Sequence, residues 1–248
     1  MKNNQIPEDE KIRIENSATG YTGIFNDENQ RNISWLSEKI VQYSKNKSNI
    51  LELGLGDGTT TKIFAKYFTK VITLDGSSNL INIFQQNNKI TNLELIETFF
   101  EDFETEEKFD NIVMSNILEH VYDPDYIIEK YKKFLKKDGM LFLSVPSATS
   151  LNRRIGNLAG MLPNIYALQE QDHVLGHRRY FCKETFLKLL ANHQLNIEKV
   201  EGVNLKIITT TQMQQLNFSE DIYNALLTIG QAYPELCTIV FVVASLKN

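Results

Sequence analysis

The sequence predicts an α/β protein built on a mostly parallel sheet with helices on both faces. From about residue 28 to residue 146, segments with apolar residues at helical spacing alternate with short apolar runs, as repeated β-α units require. A glycine-rich turn directly follows the first of these runs, and open parallel sheets place their ligand sites at such turns. A chain of 248 residues is long enough to bury the core of one such domain with insertions.

The individual strands and helices follow from local patterns, in order. Short apolar runs bounded by turn-forming residues predict seven strands: 50–53, 71–74, 93–96, 109–114, 140–145, 195–203 and 236–244. Helical spacing of apolar residues predicts helices over 27–41, 59–68, 80–84, 124–135, 183–191 and 219–229. Asp27 and either Ser77 or Ser78 can cap their helices. Pro124 opens a helix, and a turn at 137–139 precedes the fifth strand.

Two segments fall outside this alternation. Between residues 146 and 182 the periodicity weakens, while Gly, Asn, Arg and His accumulate over a stretch too long for an ordinary β-α connection. We therefore predict a substrate lid there, and an N-terminal cap over about residues 1–46. No repeat or linker splits the chain, so we predict a single domain.

Composition excludes several classes of protein. The apolar runs fall well short of the roughly 20 residues that span a bilayer, and the polar N-terminus lacks a secretory or transit pattern, which predicts a cytoplasmic protein without membrane contact. Cys182 and Cys237 form neither a disulfide scaffold nor a zinc motif. The net charge of −5 argues against a nucleic-acid partner. A small or modestly anionic substrate fits better, and a homodimer is an open alternative for assembly.

The turn at 52–58 is the sharpest local signal. Its glycines permit positive φ and close approach of a ligand, and N–H groups at the start of the next helix face that ligand. Thr59 stands where a dinucleotide fingerprint needs its third glycine, which argues against a nicotinamide cofactor. Asp75, after the second strand, can accept hydrogen bonds from both hydroxyls of an adenosine ribose. The structural alternative is that Gly54 and Gly56 only shape a tight turn.

Five motifs lie at or next to successive strands and turns of the predicted sheet. They are Glu52-x-Gly54-x-Gly56-x-Gly58, Asp75, Phe109-Asp110, Leu118-Glu119-His120-Val121 with Asp123-Pro124, and Leu135-Lys136-Lys137-Asp138-Gly139. In order and spacing they resemble the class I S-adenosylmethionine-dependent methyltransferases over roughly residues 48–200. The resemblance implies a Rossmann-like, seven-stranded sheet with its last strand antiparallel. It also implies S-adenosylmethionine as cofactor and S-adenosylhomocysteine as product.

The resemblance further implies ten cofactor contacts: Glu52, Gly54, Gly56, Asp75, Gly76, Ser77, Phe100, Glu101, Asp102 and Asn116. The glycines and nearby backbone would hold the methionine moiety, and Asp75 the ribose. Phe100 and Glu101 would frame the adenine, with Asp102 as the alternative acceptor for its amino group. Asn116 would line the cleft near the transferred methyl.

The lid carries the pattern Asp172-His173-x3-His177-Arg178-x-Tyr180, which resembles a bacterial small-molecule and glycan-associated subgroup of these enzymes. Methyl transfer to a hydroxyl or ammonium group requires removal of a proton, for which histidine is suited. His173 and His177 are four residues apart and would share a helix face, with Asp172 or Tyr180 orienting a ring. We therefore expect His173, His177 and Tyr180 to be catalytic, with a structural role as the alternative. The same spacing can hold a metal, but no third ligand is evident, so no metal is predicted.

Arginines accumulate in the predicted lid of a chain with net negative charge. Guanidinium groups bind phosphate or carboxylate bidentately, so inward-pointing ones would favour an anionic acceptor, whereas solvated loop charge is the alternative. The expected acceptor contacts are Tyr21, Asn152, Arg153, Arg154 and Arg178.

These observations predict an enzyme that moves a methyl group to O or N of a small molecule, such as a sugar, a phosphorylated compound or a precursor in polysaccharide biosynthesis. One alternative is a module that binds S-adenosylmethionine without catalysis. An NAD-dependent oxidoreductase is the other, against which the glycine spacing speaks.

Overall fold

A seven-stranded sheet lies at the centre of the protein. The computed structural model describes residue 10, residues 12–16 and residues 27–247. The strands are β1 (Asn49–Leu53), β2 (Lys70–Asp75), β3 (Leu93–Glu97), β4 (Phe109–Ser115), β5 (Leu135–Pro146), β6 (Leu195–Val203) and β7 (Ile239–Leu246). Their order across the sheet is β3-β2-β1-β4-β5-β7-β6.

The strand directions confirm the expected topology. Neighbouring strands from β3 to β5 pair in parallel, whereas β7 pairs antiparallel with both β5 and β6. The last strand is therefore the antiparallel one. The chain order reverses at β1, which has β2 on one side and β4 on the other, and this reversal opens a cleft at the carboxyl ends of those strands.

Helices cover both faces of the sheet. They are α1 (Asp27–Tyr43), α2 (Thr59–Tyr67), α3 (Ser78–Asn87), α4 (Pro124–Lys132), α5 (Leu151–Leu158), α6 (Glu170–Val174), α7 (Lys183–Ala191), α8 (Thr210–Gln215) and α9 (Glu220–Gly230). Side chains of α1, α2 and α9 share one apolar core with alternate strand residues such as Phe142. Side chains of α4 and α7 share the other core with the intervening residues, such as Leu143. The period-2 alternation of the strands sorts these residues between the two cores.

Several predicted boundaries, among them those of α4, β5 and β7, are wrong for local reasons. Helix α4 ends at Lys132 rather than 135, because Leu135 already pairs with Phe109 as the first residue of β5. The register of β5 then shifts, so the turn predicted at 137–139 lies within an irregularity of that strand. Strand β7 begins at Ile239 rather than 236, because the N–H of residue 236 bonds Tyr233 in a turn.

Helix α8 was not predicted. It has six residues, too few for an apolar period, and its start is fixed by a reciprocal pair of hydrogen bonds between Thr209 and Gln212.

The segment 146–182 leaves the sheet and returns to it. Its ends meet where Ser147 bridges Phe181 and the Ala148 N–H donates to the Phe181 carbonyl at 2.7 Å. Between them lie α5 and α6. Tyr21 lies outside the described residues, as do residues 1–9, 11 and 17–26 of the predicted N-terminal cap. Within the part of the chain that is described, no helix combines the length and apolarity needed to cross a membrane.

Candidate functional site

A cavity of about 670 Å³ opens at the carboxyl ends of the central strands. The turn after β1, the end of β2 and the loop after β3 form one side, which we call the glycine half: Glu52, Gly54, Leu55, Gly56, Asp75, Gly76, Ser77, Phe99, Phe100 and Glu101. Helices α1, α5 and α8 and the chain after β6 form the other side, which we call the polar half: Asn29, Asn32, Asn152, Arg153, Lys206, Thr210, Thr211 and Gln214. The volume of the whole cavity is typical of a small-molecule site.

Left-handed backbone shapes the glycine turn. Gly54, Gly56 and Gly58 have φ values of 84°, 55° and 76°, which residues with a Cβ rarely adopt. A Cβ added to Gly58 would lie 2.2 Å from the Phe84 ring, whereas one added to Gly56 would meet nothing within 4 Å. The turn thus packs closely against the protein at Gly58 and presents open space at Gly56, as a cradle for a ligand would.

Asp75 ties the glycine turn to the end of β2. Its Oδ2 accepts the Leu55 N–H at 2.8 Å, and its Oδ1 accepts the Ser77 N–H at the same distance. Burial raises the pKa of this carboxyl against the opposing effect of the two N–H donors. The carboxylate therefore organises two loops at the cavity wall, where the resemblance places the ribose.

Glu52 lies beneath the turn with 2% of its surface exposed. Its Oε2 accepts the hydroxyls of Thr61, at 2.6 Å, and Thr73, at 2.8 Å. Burial raises the pKa of Glu52 to about 8. The side chain therefore supports the turn mainly as a hydrogen-bonded group in the core.

The loop after β3 forms the outer wall of the glycine half. Phe99, Phe100 and Glu101 line the cavity, and Phe99 packs within 3.3 Å of the position a Gly76 Cβ would take. Burial raises the pKa of Glu101. Asp102, predicted as the alternative to Glu101, is exposed and is not part of the cavity lining.

Asn116 follows β4 in a left-handed conformation, with φ of 52°. Its N–H donates to the Ser144 carbonyl at 3.0 Å, and its Oδ1 accepts the Ser144 hydroxyl at 3.3 Å. These bonds hold Asn116 in the cavity wall. Nine of the ten predicted cofactor contacts thus line one cavity, and Asp102 alone does not.

A buried cluster of Glu119, His120 and His177 lies in the wall of the same cavity. Glu119 has 0% exposure, and neither of its carboxylate oxygens has a hydrogen-bond partner among the described residues. The His120 Nε2 lies 3.7 Å from Glu119 Oε1, and the His120 and His177 rings pack edge to face with centroids 4.7 Å apart. Burial raises the pKa of Glu119 to about 7 and lowers that of His120 to about 3.

The structure separates the two lid histidines. Helix α6 ends at Val174, and Gly176 then turns the chain with φ of 78°, so His173 is exposed while His177 lines the cavity. The prediction that both share a helix face is wrong for this reason.

Asp172 organises the surroundings of His177. Its Oδ1 accepts the Tyr180 hydroxyl at 2.8 Å and lies 3.2 Å from His177 Nδ1, in an orientation too poor for a good hydrogen bond. Its Oδ2 accepts the Gln169 N–H at 2.8 Å. Tyr180 and His177 therefore share one buried carboxylate at the cavity.

The lid arginines bind protein groups. Arg153 donates to the carbonyls of residues 165 and 167 at 3.0 and 2.6 Å, and its guanidinium lies 4.1 Å above the Tyr180 ring. Arg154 is exposed and donates to the carbonyl of residue 149. Arg178 binds Glu10 and the His120 carbonyl, and Arg179 binds carbonyls of the loop after β4. Of the three predicted arginine contacts, only Arg153 lines the cavity.

The polar half contains groups that sequence reasoning missed. Asn29, Asn32, Thr210, Thr211 and Gln214 line it, but they lie on α1 and α8, far in sequence from any motif. Asn152 was predicted, and its Oδ1 is buried without a partner in the described part of the chain.

Comparison with known proteins agrees with this geometry. A sequence model of the family described as a methyltransferase domain matches residues 25–200. The ubiquinone biosynthesis O-methyltransferase of Pelagibacter ubique strain HTCC1062 is 22% identical over 194 residues, covering 71% of this chain and 76% of the relative. The enzyme of that name from Actinobacillus pleuropneumoniae serotype 7 strain AP76 is 31% identical over 131 residues, covering 47% and 56%. The chain thus matches little more than half the length of that second relative.

A solved structure shows the same fold. The N-methyltransferase NodS from Bradyrhizobium japonicum WM9, in complex with S-adenosyl-L-homocysteine, superposes with a TM-score of 0.57 at 17% identity, over 91% of this chain and 90% of NodS. The open space at Gly56 and the Asp75 carboxylate line one cavity whose volume suits a cofactor of this kind. The chain therefore belongs to the methyltransferase-domain family and is a class I methyltransferase with S-adenosylmethionine as its cofactor.

Proposed function

We propose that this enzyme methylates a hydroxyl oxygen of a neutral, polar acceptor such as a sugar. The observation that carries the proposal is the buried, unpartnered Oδ1 of Asn152 in a cavity wall rich in amides and hydroxyls. A buried acceptor atom without a donor is costly, and a hydroxyl of the bound substrate would supply that donor. Asn32 and Gln214 add further amide groups to the same cavity wall.

The cations of the polar half favour a neutral acceptor over an anionic one. The Arg153 guanidinium already donates to two carbonyls. The Lys206 ammonium lies 3.1 Å from Glu28, which is buried and also accepts from Asn204. A phosphate or carboxylate entering this half would have to displace these partners and would meet the Glu28 carboxylate. A neutral sugar requires no such displacement.

The residues of the cavity wall have separate tasks in the proposed reaction. When bound, S-adenosylmethionine supplies a methyl on a positively charged sulfur, and its C–S bond breaks, with the electron pair going to sulfur, as the acceptor oxygen forms the new O–C bond. The polar half orients the acceptor, and alignment of this kind is a large part of catalysis. Asn116 lines the same cavity and would lie near the transferred methyl, as the resemblance implies.

The acceptor hydroxyl must also lose its proton. The cluster of Glu119, His120 and His177 is the group in this wall that can assist, either as a base or by holding a cation. Tyr180 acts on it through Asp172, which it shares with His177. His173 takes no part in this proposal because it is exposed.

A second candidate acceptor is a phenol with an apolar tail. The relatives named above are ubiquinone biosynthesis O-methyltransferases. Leu158 and Met161, on the segment beside the polar half, are 89% and 66% exposed. Exposed apolar side chains of this size could accommodate such a tail.

Release of S-adenosylhomocysteine from a panel of acceptors tests the proposal. The panel contains neutral sugars, their phosphorylated forms and phenols with and without an apolar tail. We expect turnover with neutral sugars and at least tenfold lower kcat/KM for the phosphorylated forms. Preference for the phosphorylated forms would contradict a neutral acceptor, and turnover restricted to tailed phenols would favour the second candidate. The variant Asn152→Ala should raise KM for the accepted compound, with Asn157→Ala as the matched control on the same helix.

A further inference from the structure

The cluster of Glu119, His120 and His177 has the composition of a metal site. One ligand atom from each residue lies within 4.8 Å of those of the other two. A carboxylate with two imidazoles is a donor set that zinc and related divalent transition metals accept. Ligand atoms around such an ion lie about 3.4 Å apart, given bonds of roughly 2.1 Å. Small side-chain rotations would therefore bring these three groups to bonding distance.

The unpartnered carboxylate of Glu119 is the second observation. Both of its oxygens are buried and lack hydrogen-bond partners among the described residues, and the side chain lines the cavity. A buried carboxylate is normally paired, hydrogen-bonded or bound to a metal, because isolated burial is costly. Within the described part of the chain, Arg178 and Arg179 donate to backbone carbonyls of this loop and not to the Glu119 carboxylate. A cation between Glu119 and the two rings would supply the missing partner.

The surroundings hold the two rings in place, as metal sites require. His177 Nδ1 faces the carboxylate of Asp172, which Tyr180 and the Gln169 N–H fix in turn. The His120 ring packs edge to face against the His177 ring, with centroids 4.7 Å apart. Histidines that bind metals commonly engage a carboxylate or a backbone carbonyl through the other ring nitrogen.

We propose that Glu119, His120 and His177 bind one divalent cation of the zinc type, with its remaining coordination position open to the acceptor. The cation site can be tested on its own, and its catalytic role rests on the proposed function. In that role the cation would bind the acceptor oxygen and ease the loss of its proton to solvent, so that the alkoxide attacks the methyl carbon. The expectation of no metal concerned His173 with His177, whereas this site joins His177 to the loop after β4.

Cobalt titration of the chelator-treated full chain tests the site. We expect one Co²⁺ per chain with visible absorption bands, displaced by Zn²⁺, and one zinc per chain by elemental analysis. Glu119→Gln and His177→Asn should each weaken cobalt binding at least tenfold. His173→Asn, a histidine change on the same segment but outside the cluster, should leave it unchanged. Calorimetry with S-adenosylhomocysteine checks that each variant is folded.

Several results would overturn the inference. Less than 0.2 cobalt per chain, or binding that Glu119→Gln and His177→Asn leave intact, would remove the site. Full activity of the chelator-treated enzyme would remove its catalytic role and favour His177 as a base. Stoichiometric cobalt binding without turnover of any acceptor would support the site while counting against the proposed function, so the two failures are distinguishable.

Discussion

The glycine half and the polar half of the cavity are built in different ways. The glycine half consists of short turns at the ends of adjacent strands, and backbone N–H groups and one carboxylate, Asp75, hold it together. The polar half is assembled from α1, α5, α8 and the chain after β6, segments that are distant in sequence. The first construction depends on backbone geometry and on one carboxylate, so it leaves little room for side chains to vary. The second allows side chains to change with little effect on the sheet, so acceptor specificity can vary.

The largest expected effect is on the pH dependence of the free energy of unfolding, through Glu52 beneath the glycine turn. Burial raises the pKa of Glu52 to about 8, against about 4.3 in an unfolded chain. Between these values the folded state keeps the proton and the unfolded state releases it, so rising pH favours unfolding by roughly 1.4 kcal/mol per pH unit. Glu52→Gln keeps an acceptor for Thr61 and Thr73 but removes this titration.

Urea unfolding at pH 6 and pH 8 measures the loss of stability that the titration of Glu52 causes. The wild type should lose roughly 2–3 kcal/mol more than Glu52→Gln between these pH values. If the free energies of unfolding of the two proteins changed equally with pH, Glu52 would be ionised in the folded state. The glycine turn would then be supported by a charged carboxylate.

A smaller effect is expected at the link between the two turns. Asp75→Ala leaves the Leu55 and Ser77 N–H groups without their acceptor and removes the proposed ribose contact. We expect the affinity for S-adenosylhomocysteine to fall by roughly 10–100-fold, or 1.5–3 kcal/mol, in calorimetry. Asp102→Ala, an exposed change outside the cavity, is the matched control. Equal affinities for both variants would show that the glycine half does not depend on this carboxylate.

The smallest effect is expected in the polar half. Arg153→Met removes the donors to the carbonyls of residues 165 and 167, at a cost of about 1–2 kcal/mol. Hydrogen exchange over residues 160–180 should therefore quicken roughly tenfold, with cofactor affinity unchanged. Arg154→Met, at the exposed neighbour, should alter exchange less than twofold. A loss of cofactor affinity in Arg153→Met would show that the two halves are coupled.

The sequence predicts the glycine half better than the polar half because the first is made of local turns and the second of segments distant in sequence. Positive φ at Gly54 and Gly56 and a carboxylate at a strand end leave local marks, so nearly all predicted cofactor contacts lie in the cavity. Contacts such as that of Lys206 with Glu28 join residues 178 positions apart and leave no local mark in the sequence. The pairing of His177 with Glu119 is also non-local, and local spacing pointed to His173 instead. The four lid arginines were read by charge, whereas the carbonyls they bind are visible only in the fold.

Residues 10 and 12–16 are helical and touch both the cofactor side and the lid. Glu15 accepts hydrogen bonds from the Ser77 hydroxyl and the Ser78 N–H just after β2, while Arg13 donates to the carbonyls of Gly176 and His120. These few residues therefore connect the chain after β2 with the lid and with the loop that carries His120. A displacement of this short piece of chain would thus change the contacts of the chain after β2 and of the segment that carries His177 at the same time.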